Sequence, residues 1–167
     1  MDAIDRKILI ELQDDADLPY AELGSRVGLS ASAINERLKR LKAGGRIRRV
    51  TAEIDPAAFG LNLLAFLLVR LDPGVAESAF LAAMVRAPQV LECHHITGAY
   101  SYLLKLRLRD TADLERFLSA EVKSIPGVAA TETIIALSSA KEGRDLADPE
   151  TALTASLHHI HERERSS

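Results

Sequence analysis

The chain has 167 residues, 47% apolar and 27% charged, with a formal net charge of −3, one cysteine and no tryptophan. That is enough for two small cores, and the longest apolar run, Leu61 to Val69, is interrupted by Asn62 and falls far short of a bilayer span. A lone Cys93 excludes an internal disulfide, and the Met1-Asp2-Ala3-Ile4-Asp5-Arg6-Lys7 start is too charged for a secretory signal, so a reducing, cytoplasmic location is expected.

Ile4, Ile8, Leu9 and Leu12 recur at helical spacing behind Asp2 and Asp5, an N-cap and first-turn acid pair, and predict a first helix. Leu18-Pro19 opens a short second helix on which Tyr20, Leu23 and Val27 share a face, and Gly28 stops it. Ser30 is placed to cap a third helix that carries Ile34, Leu38 and Leu41 on one buried stripe. Ser32, Glu36, Lys39 and Arg40 project from the other side, with Asn35 on the flank, and Gly44-Gly45 ends the helix. Second helix, glycine turn and capped third helix form a helix-turn-helix pattern, in which the third helix enters the major groove of DNA. Arg46-Ile47-Arg48-Arg49-Val50 alternates and predicts a wing strand whose arginines meet phosphate.

An ordinary amphipathic helix with a solvated polar side has the same stripe, and the distribution of charge separates the two readings. Residues 26–49 hold eight basic side chains against Glu36 alone, whereas residues 1–25 hold seven acids and two bases, and residues 50–167 sixteen acids and eleven bases. A mildly acidic chain with one basic footprint is the asymmetry of a modular DNA binder. The candidate DNA-contacting residues are Ser30, Ser32, Ala33, Asn35, Glu36, Lys39, Arg40, Arg46, Arg48 and Arg49.

The second half repeats itself. Arg70-Leu71 and Arg107-Leu108 lie 37 residues apart, as do Phe80-Leu81 and Phe117-Leu118, and Pro88-Gln89-Val90 is echoed by Pro126-Gly127-Val128. Each copy reads strand, helix, strand: strands over Leu63 to Leu71, Val90 to Ile96, Tyr102 to Leu108 and Val128 to Leu137, helices over Val75 to Val85 and Thr111 to Val122. Alternation of Leu104, Leu106 and Leu108 with Lys105, Arg107 and Arg109 marks a half-buried strand. Two βαβ units in series predict a ferredoxin-like βαββαβ sandwich, both helices on one face of a four-stranded antiparallel sheet. The expected fold class is α+β: a (winged) helix-turn-helix domain over 1–51, a linker strand over 52–62, the sandwich over 63–141 and a tail over 142–167.

On these residues the chain resembles the Lrp/AsnC family of feast/famine transcription regulators. The matching stretches are Asp2-Ala3-Ile4-Asp5-Arg6-Lys7-Ile8-Leu9, Leu29-Ser30, Arg37 to Leu41, Gly45-Arg46-Ile47, Asp55-Pro56, Phe59-Gly60, Thr97-Gly98 with Tyr102-Leu103-Leu104, and Pro126-Gly127-Val128. Their order and spacing cover residues 2 to 141, and the linker strand expected over 52–62 is what the resemblance implies, from the family order of helix-turn-helix, linker strand and C-terminal domain. The resemblance implies dimers joined through the sheets of the C-terminal domains, assembly into octamers or larger, and a small-molecule effector, usually an amino acid, bound in crevices between dimers. It places the effector at the loop Thr97, Gly98, Ala99, Tyr100, Ser101, Tyr102. Similar proteins often carry aspartates where this chain has Ala99 and Ser101. A carboxylate is the natural partner of an α-ammonium group, so weak binding of free amino acids is expected. A plain hairpin turn built on Gly98 is the other reading of the same residues.

Adjacent strand residues point to opposite faces, so His94 and His95 cannot share a metal within one chain. His158 and His161 in the tail sit at i, i+3, with no cysteine or fixed carboxylate nearby to complete a metal site. No metal or cofactor is therefore expected. Three functions stay open: an effector-responsive regulator, an architectural DNA-binding protein without effector, and an enzyme. For the last, siroheme decarboxylases resemble the family in outline, with His94 or His95 as acid or base. The sequence has no nucleophile–base pair or phosphate loop, and the regulator is the leading reading.

Overall fold

Asp2 and Asp5 open the first helix as a reciprocal pair. The Asp2 carboxylate accepts from Asp5 N at 2.8 Å and the Asp5 carboxylate from Asp2 N at 3.1 Å, a capping box for α1 (Ala3–Asp14). Pro19, its φ fixed near −57°, precedes α2 (Tyr20–Val27), and Gly28 closes that helix at φ 74°, a left-handed conformation that glycine adopts without strain. Ser30 Oγ accepts from Ala33 N at 3.3 Å to cap α3 (Ala31–Ala43). Ile8, Leu18, Leu23, Ile34, Leu38 and Leu41 meet in the core between the three helices.

The computed structural model describes residues 1–74, 77–143 and 146. They fall into two units: Met1–Ala52 with the described residues after 141, and Glu53–Lys141. Leu146 is clasped in the first unit by Gln13, whose side chain both accepts from its N–H (2.9 Å) and donates to its carbonyl (3.1 Å). Apart from residues 142 and 143, the rest of the tail, including His158 and His161, lies outside the described residues.

Two expectations for this stretch fail. The wing strand over 46–50 is not formed. Instead the N–H groups of Arg46 and Ile47 both return to the Leu41 carbonyl, and Ile47 packs on the three-helix core. An alternating pattern becomes a strand only with a partner to pair with, and none of the described residues of this unit supplies one. The linker strand over 52–62 is also absent. Asp55 accepts from Ala57 N at 2.9 Å and Pro56 supplies its fixed φ, so Pro56–Phe59 winds into a single 3-10 turn.

The second unit contains β1 (Leu63–Leu71), α4 (Glu77–Arg86), β2 (Val90–His95), β3 (Tyr102–Leu108), α5 (Thr111–Phe117) and β4 (Val128–Ile135). Strand order is β2-β3-β1-β4, every neighbouring pair antiparallel, as expected of the βαββαβ sandwich. The first strands of the two repeats pair with each other at the centre, Leu63 opposite Leu108 and Leu67 opposite Leu104. Phe80 and Phe117, one on each helix, are both buried against that sheet. Val75 lies outside the described residues, and α5 widens into a π-helical turn, Leu118–Val122, in which Lys123 N reaches back to the Leu118 carbonyl at 2.8 Å.

Ala65, Leu67, Val69 and Leu71 on β1 and Tyr102, Leu104, Leu106 and Leu108 on β3 face the helices and form the larger core. The opposite face carries Phe66 and Leu68 from β1 with Leu103 and Ile134 beside them in register, Ile134 exposed and the other three half-buried, and neither α4 nor α5 packs on it; Leu64, on the same face, is buried. No helix among the described residues is long and apolar enough to cross a membrane.

Candidate nucleic-acid interface and effector loop

The buried stripe of α3 turns its other side outward. Ser30, Ser32, Glu36, Lys39 and Arg40 are exposed, whereas Ala33 and Asn35 are half-buried on the flanks. Ser30 Oγ already serves as the cap and lies 3.0 Å from Ser32 Oγ. Lys39 Nζ donates to Glu36 Oε1 at 2.9 Å and, with help from Arg40, holds the Glu36 carboxyl below the usual range, so it stays ionised. Arg40, Arg46, Arg48 and Arg49 are exposed, and none has a carboxylate at ion-pair distance among the described residues. Arg40 and Arg46 also line a pocket of about 250 Å³ together with Met1, Asp5, Arg37, Leu41 and Gly44.

The basic footprint is smaller than its sequence count. Arg26 is held between Glu11 of α1 and Glu22 of its own helix, both at 2.7 Å. Arg37 donates from Nη1 to Asp2 at 2.7 Å and to Asp5 at 2.6 Å. Acids of the first 25 residues thus neutralise two of the eight bases that follow. Sequence spacing alone does not bring them together; the three-helix packing does. Gly24 was likewise missed: a Cβ there would lie 2.4 Å from the Leu29 carbonyl oxygen, so only glycine lets the turn close this tightly.

In the second unit the loop between β2 and β3 is pinned at its C-terminal side. Ser101 N donates to the Val69 carbonyl at 2.9 Å, its carbonyl accepts from Ile96 N, and Ser101 Oγ accepts from Leu71 N at 3.2 Å. Tyr102 does not belong to an open site. It is 2% exposed, its ring lies 5.0 Å from those of Phe80 and His95, and its hydroxyl donates to Glu77 at 2.6 Å. That bond to a carboxylate, together with burial, pushes the phenol up to about 12. Thr97, Gly98 and Ala99 are exposed and Tyr100 half-buried. Tyr100 donates to Glu132 of β4 at 2.8 Å, which brings a carboxylate to the loop from another strand.

His94 sits 3.2 Å from Glu92 on the sheet face without helices, while His95 stacks on Tyr102 on the helix side, so the two histidines do face opposite ways. No group of three or more metal-ligating side chains gathers among the described residues.

The profile of the AsnC-type helix-turn-helix domain matches residues 1–42, and that of the Lrp/AsnC ligand binding domain matches residues 64–146. The chain is 38% identical over 146 residues to the HTH-type transcriptional regulator FL11 of Pyrococcus horikoshii, covering 87% of this chain and 95% of that one. It is 34% identical over 148 residues to the leucine-responsive regulatory protein of Escherichia coli K12, covering 87% and 90%. A crystal structure of a Neisseria meningitidis transcriptional regulator in complex with L-Met superposes with a TM-score of 0.85 at 32% identity, over 90% of this chain and 99% of that one. A feast or famine regulatory protein of Mycobacterium tuberculosis complexed with L-methionine superposes with a TM-score of 0.80 at 32% identity, over 87% and 97%.

Proposed function

The chain belongs to the Lrp/AsnC family of transcriptional regulators, and from that premise we propose that α3 reads double-stranded DNA while the second unit pairs two copies and holds a small-molecule effector. The observation that carries the DNA reading is the exposed face of α3 beside four exposed arginines without carboxylate partners among the described residues. Arg40, Arg46, Arg48 and Arg49 meet phosphates or, for Arg40, a guanine edge; Glu36, ionised beside Lys39, accepts from a cytosine amino group. Replacing Arg40 or Arg49 by alanine should flatten the slope of log K against log salt by about 0.9 per lost contact in each half-site. Unchanged slopes in both variants would remove α3 as the reading helix.

One such helix reads only a few base pairs, so two are needed about one helical turn apart. The sheet face without helices supports the pairing: Phe66, Leu68, Leu103 and Ile134 make an apolar patch, with Arg70, Glu92, Lys105 and Glu132 on the same face. A second copy covers it by two-fold symmetry, and dimers join further into an octamer. Sedimentation of the full chain should give a dimer or larger species, and a stable monomer at micromolar concentration would count against this. A binding protein rather than an enzyme fits the relatives named as transcriptional regulators, and it fits His94 and His95, which lie against Glu92 and Tyr102. Such a regulator acts in the cytoplasm, with no cofactor.

For the effector, the loop at Thr97, Gly98, Ala99 and Tyr100 lacks the carboxylate that would receive an ammonium group, and an ammonium buried without a partner loses several kcal/mol of hydration. An uncharged or anionic metabolite therefore suits it better than a zwitterion. Calorimetry with L-methionine should give weak binding by the natural chain and tighter binding after Ala99→Asp/Ser101→Asp. Tight binding by the natural chain would mean that another acid holds the ammonium, with Glu132 the carboxylate already hydrogen-bonded to the loop through Tyr100.

A further inference from the structure

Arg37 lies three residues after Ile34 and four before Leu41, on the border of the buried stripe of α3, and its side chain is 19% exposed. From there a single nitrogen, Nη1, donates to both Asp2 and Asp5. Each of those carboxylates spends one oxygen on the capping box of α1 and the other on Arg37: Asp2 offers Oδ1 to Asp5 N and Oδ2 to Arg37, while Asp5 offers Oδ2 to Asp2 N and Oδ1 to Arg37. The cap of one helix and the azimuth of another are thus set by the same three side chains. Apolar packing of Ile34, Leu38 and Leu41 fixes how deep α3 sits but is non-directional. Charge-assisted hydrogen bonds have direction, and here they come from the start of α1 to the middle of α3.

Building on the reading of α3 as the DNA-contacting helix, we propose that Arg37 is a positioning residue for sequence recognition. It touches no phosphate; it holds the rotation of α3 at which Ser32, Glu36, Lys39 and Arg40 face the groove together. The distinction is measurable, because a phosphate contact contributes affinity on every sequence and adds to the salt slope, whereas helix rotation changes only how well one sequence is told from another.

The probes are 30-base-pair duplexes enriched by the full-length natural protein from a randomised library, and scrambled duplexes of the same composition. Arg37→Met keeps the aliphatic stem and removes the charge. It should leave the salt slope at the natural value while the ratio of affinities, enriched over scrambled, falls about tenfold or more, the worth of one good base contact. Arg40→Ala, as a contrast, should flatten the slope. Because Arg37→Met risks loosening the unit, Asp2→Asn/Asp5→Asn gives a second route: it leaves the arginine in place but removes both charges that hold it. That variant should lose the same discrimination, with helix content checked by circular dichroism. A salt slope flattened by about 0.9 per half-site in Arg37→Met, or discrimination fully kept in either variant, overturns the proposal. A library from which the natural protein enriches nothing would instead remove the DNA reading itself, a separate result from any of the Arg37 outcomes.

Discussion

The two units hold their helices in place by different means. In the second, fourteen buried residues join a four-stranded sheet to its helices, and the cluster at the start of α5, Arg109 and Arg116 on Asp113, stays within one turn of chain. In the first, only six buried side chains join three helices, and ion pairs reach across the fold from Arg26 to Glu11 and from Arg37 to Asp2 and Asp5. A core that small has few ways to resist rotation of one helix against another. The first unit meets the need with ion pairs between its helices, whereas in the second the bond from Tyr102 of β3 to Glu77 of α4 adds to a core that is already large.

That contrast is open to attack in three ways. The largest effect is expected from emptying each core in turn. Leu104→Ala and Leu38→Ala should each cost about 2–5 kcal/mol, the first lowering the denaturation midpoint of the sandwich and the second that of the three-helix unit. Near-ultraviolet signals report mainly the former, since Tyr100, Tyr102 and all four phenylalanines lie in the second unit and Tyr20 in the first. A single shared transition shifted equally by both variants would erase the distinction. Next in size is Gly24→Ala. Its Cβ would fall 2.4 Å from backbone oxygen, so the turn must open at a cost of about 1–3 kcal/mol, and affinity for DNA should fall while the sandwich melts as before.

The smallest effect, and the sharpest test of the charge argument, is acid. Asp2 is held below the ordinary carboxylate value of 3.8 by the N–H of Asp5 and by Arg37. Burial pushes Asp5 up, but the bonds from Arg37 and from Asp2 N outweigh it and hold it down as well. For carboxylates depressed on folding, the stabilisation is complete above the unfolded value and is lost as pH falls through the folded one. Lowering the pH below 3.8 should therefore loosen α1 from α3, and Arg37→Met should remove that part of the acid response. Asp113, pulled down to about 2 by Arg109, its backbone N–H and Arg116, keeps its local bonds to lower pH. Identical acid profiles for the natural chain and Arg37→Met, followed by DNA affinity and circular dichroism, would show that the bridge contributes nothing.

Where the sequence carried a periodic pattern, it located the element. β1 and β3 begin and end at the expected residues because Leu104, Leu106 and Leu108 alternate without interruption and β1 is an unbroken apolar run. The capping of α1 and α3 was equally legible, since Asp2 and Ser30 stand at fixed offsets from apolar stripes. The wing misled because Arg46-Ile47-Arg48 has the right alternation, while pairing depends on a second segment that no local pattern reveals. The linker misled because Asp55-Pro56 is a turn signal outranked in the reading by the strand expected from resemblance. Tyr102 was grouped with the effector loop by its position in the chain, yet as the first residue of β3 it falls on the buried phase of the alternation that Leu104 continues. Arg37 was counted as surface charge. A half-hint lay in its place one step off the polar face, but its partners sit more than 30 residues away and only the packed helices bring them near.

The outer strand β4 closes against β1 so that the beginning of one and the end of the other lie together, with Ala136 N on the Leu64 carbonyl at 3.0 Å and Ala65 opposite Ile135. Ladder bonds of antiparallel neighbours run perpendicular to the strands. Tension drawn between residues 62 and 137 therefore acts along those bonds and opens them one rung at a time from the rim, like a zip. The same pull applied along the strands would have to shear every rung at once. Mechanically, the sandwich is weakest at the very place where the chain enters and leaves it.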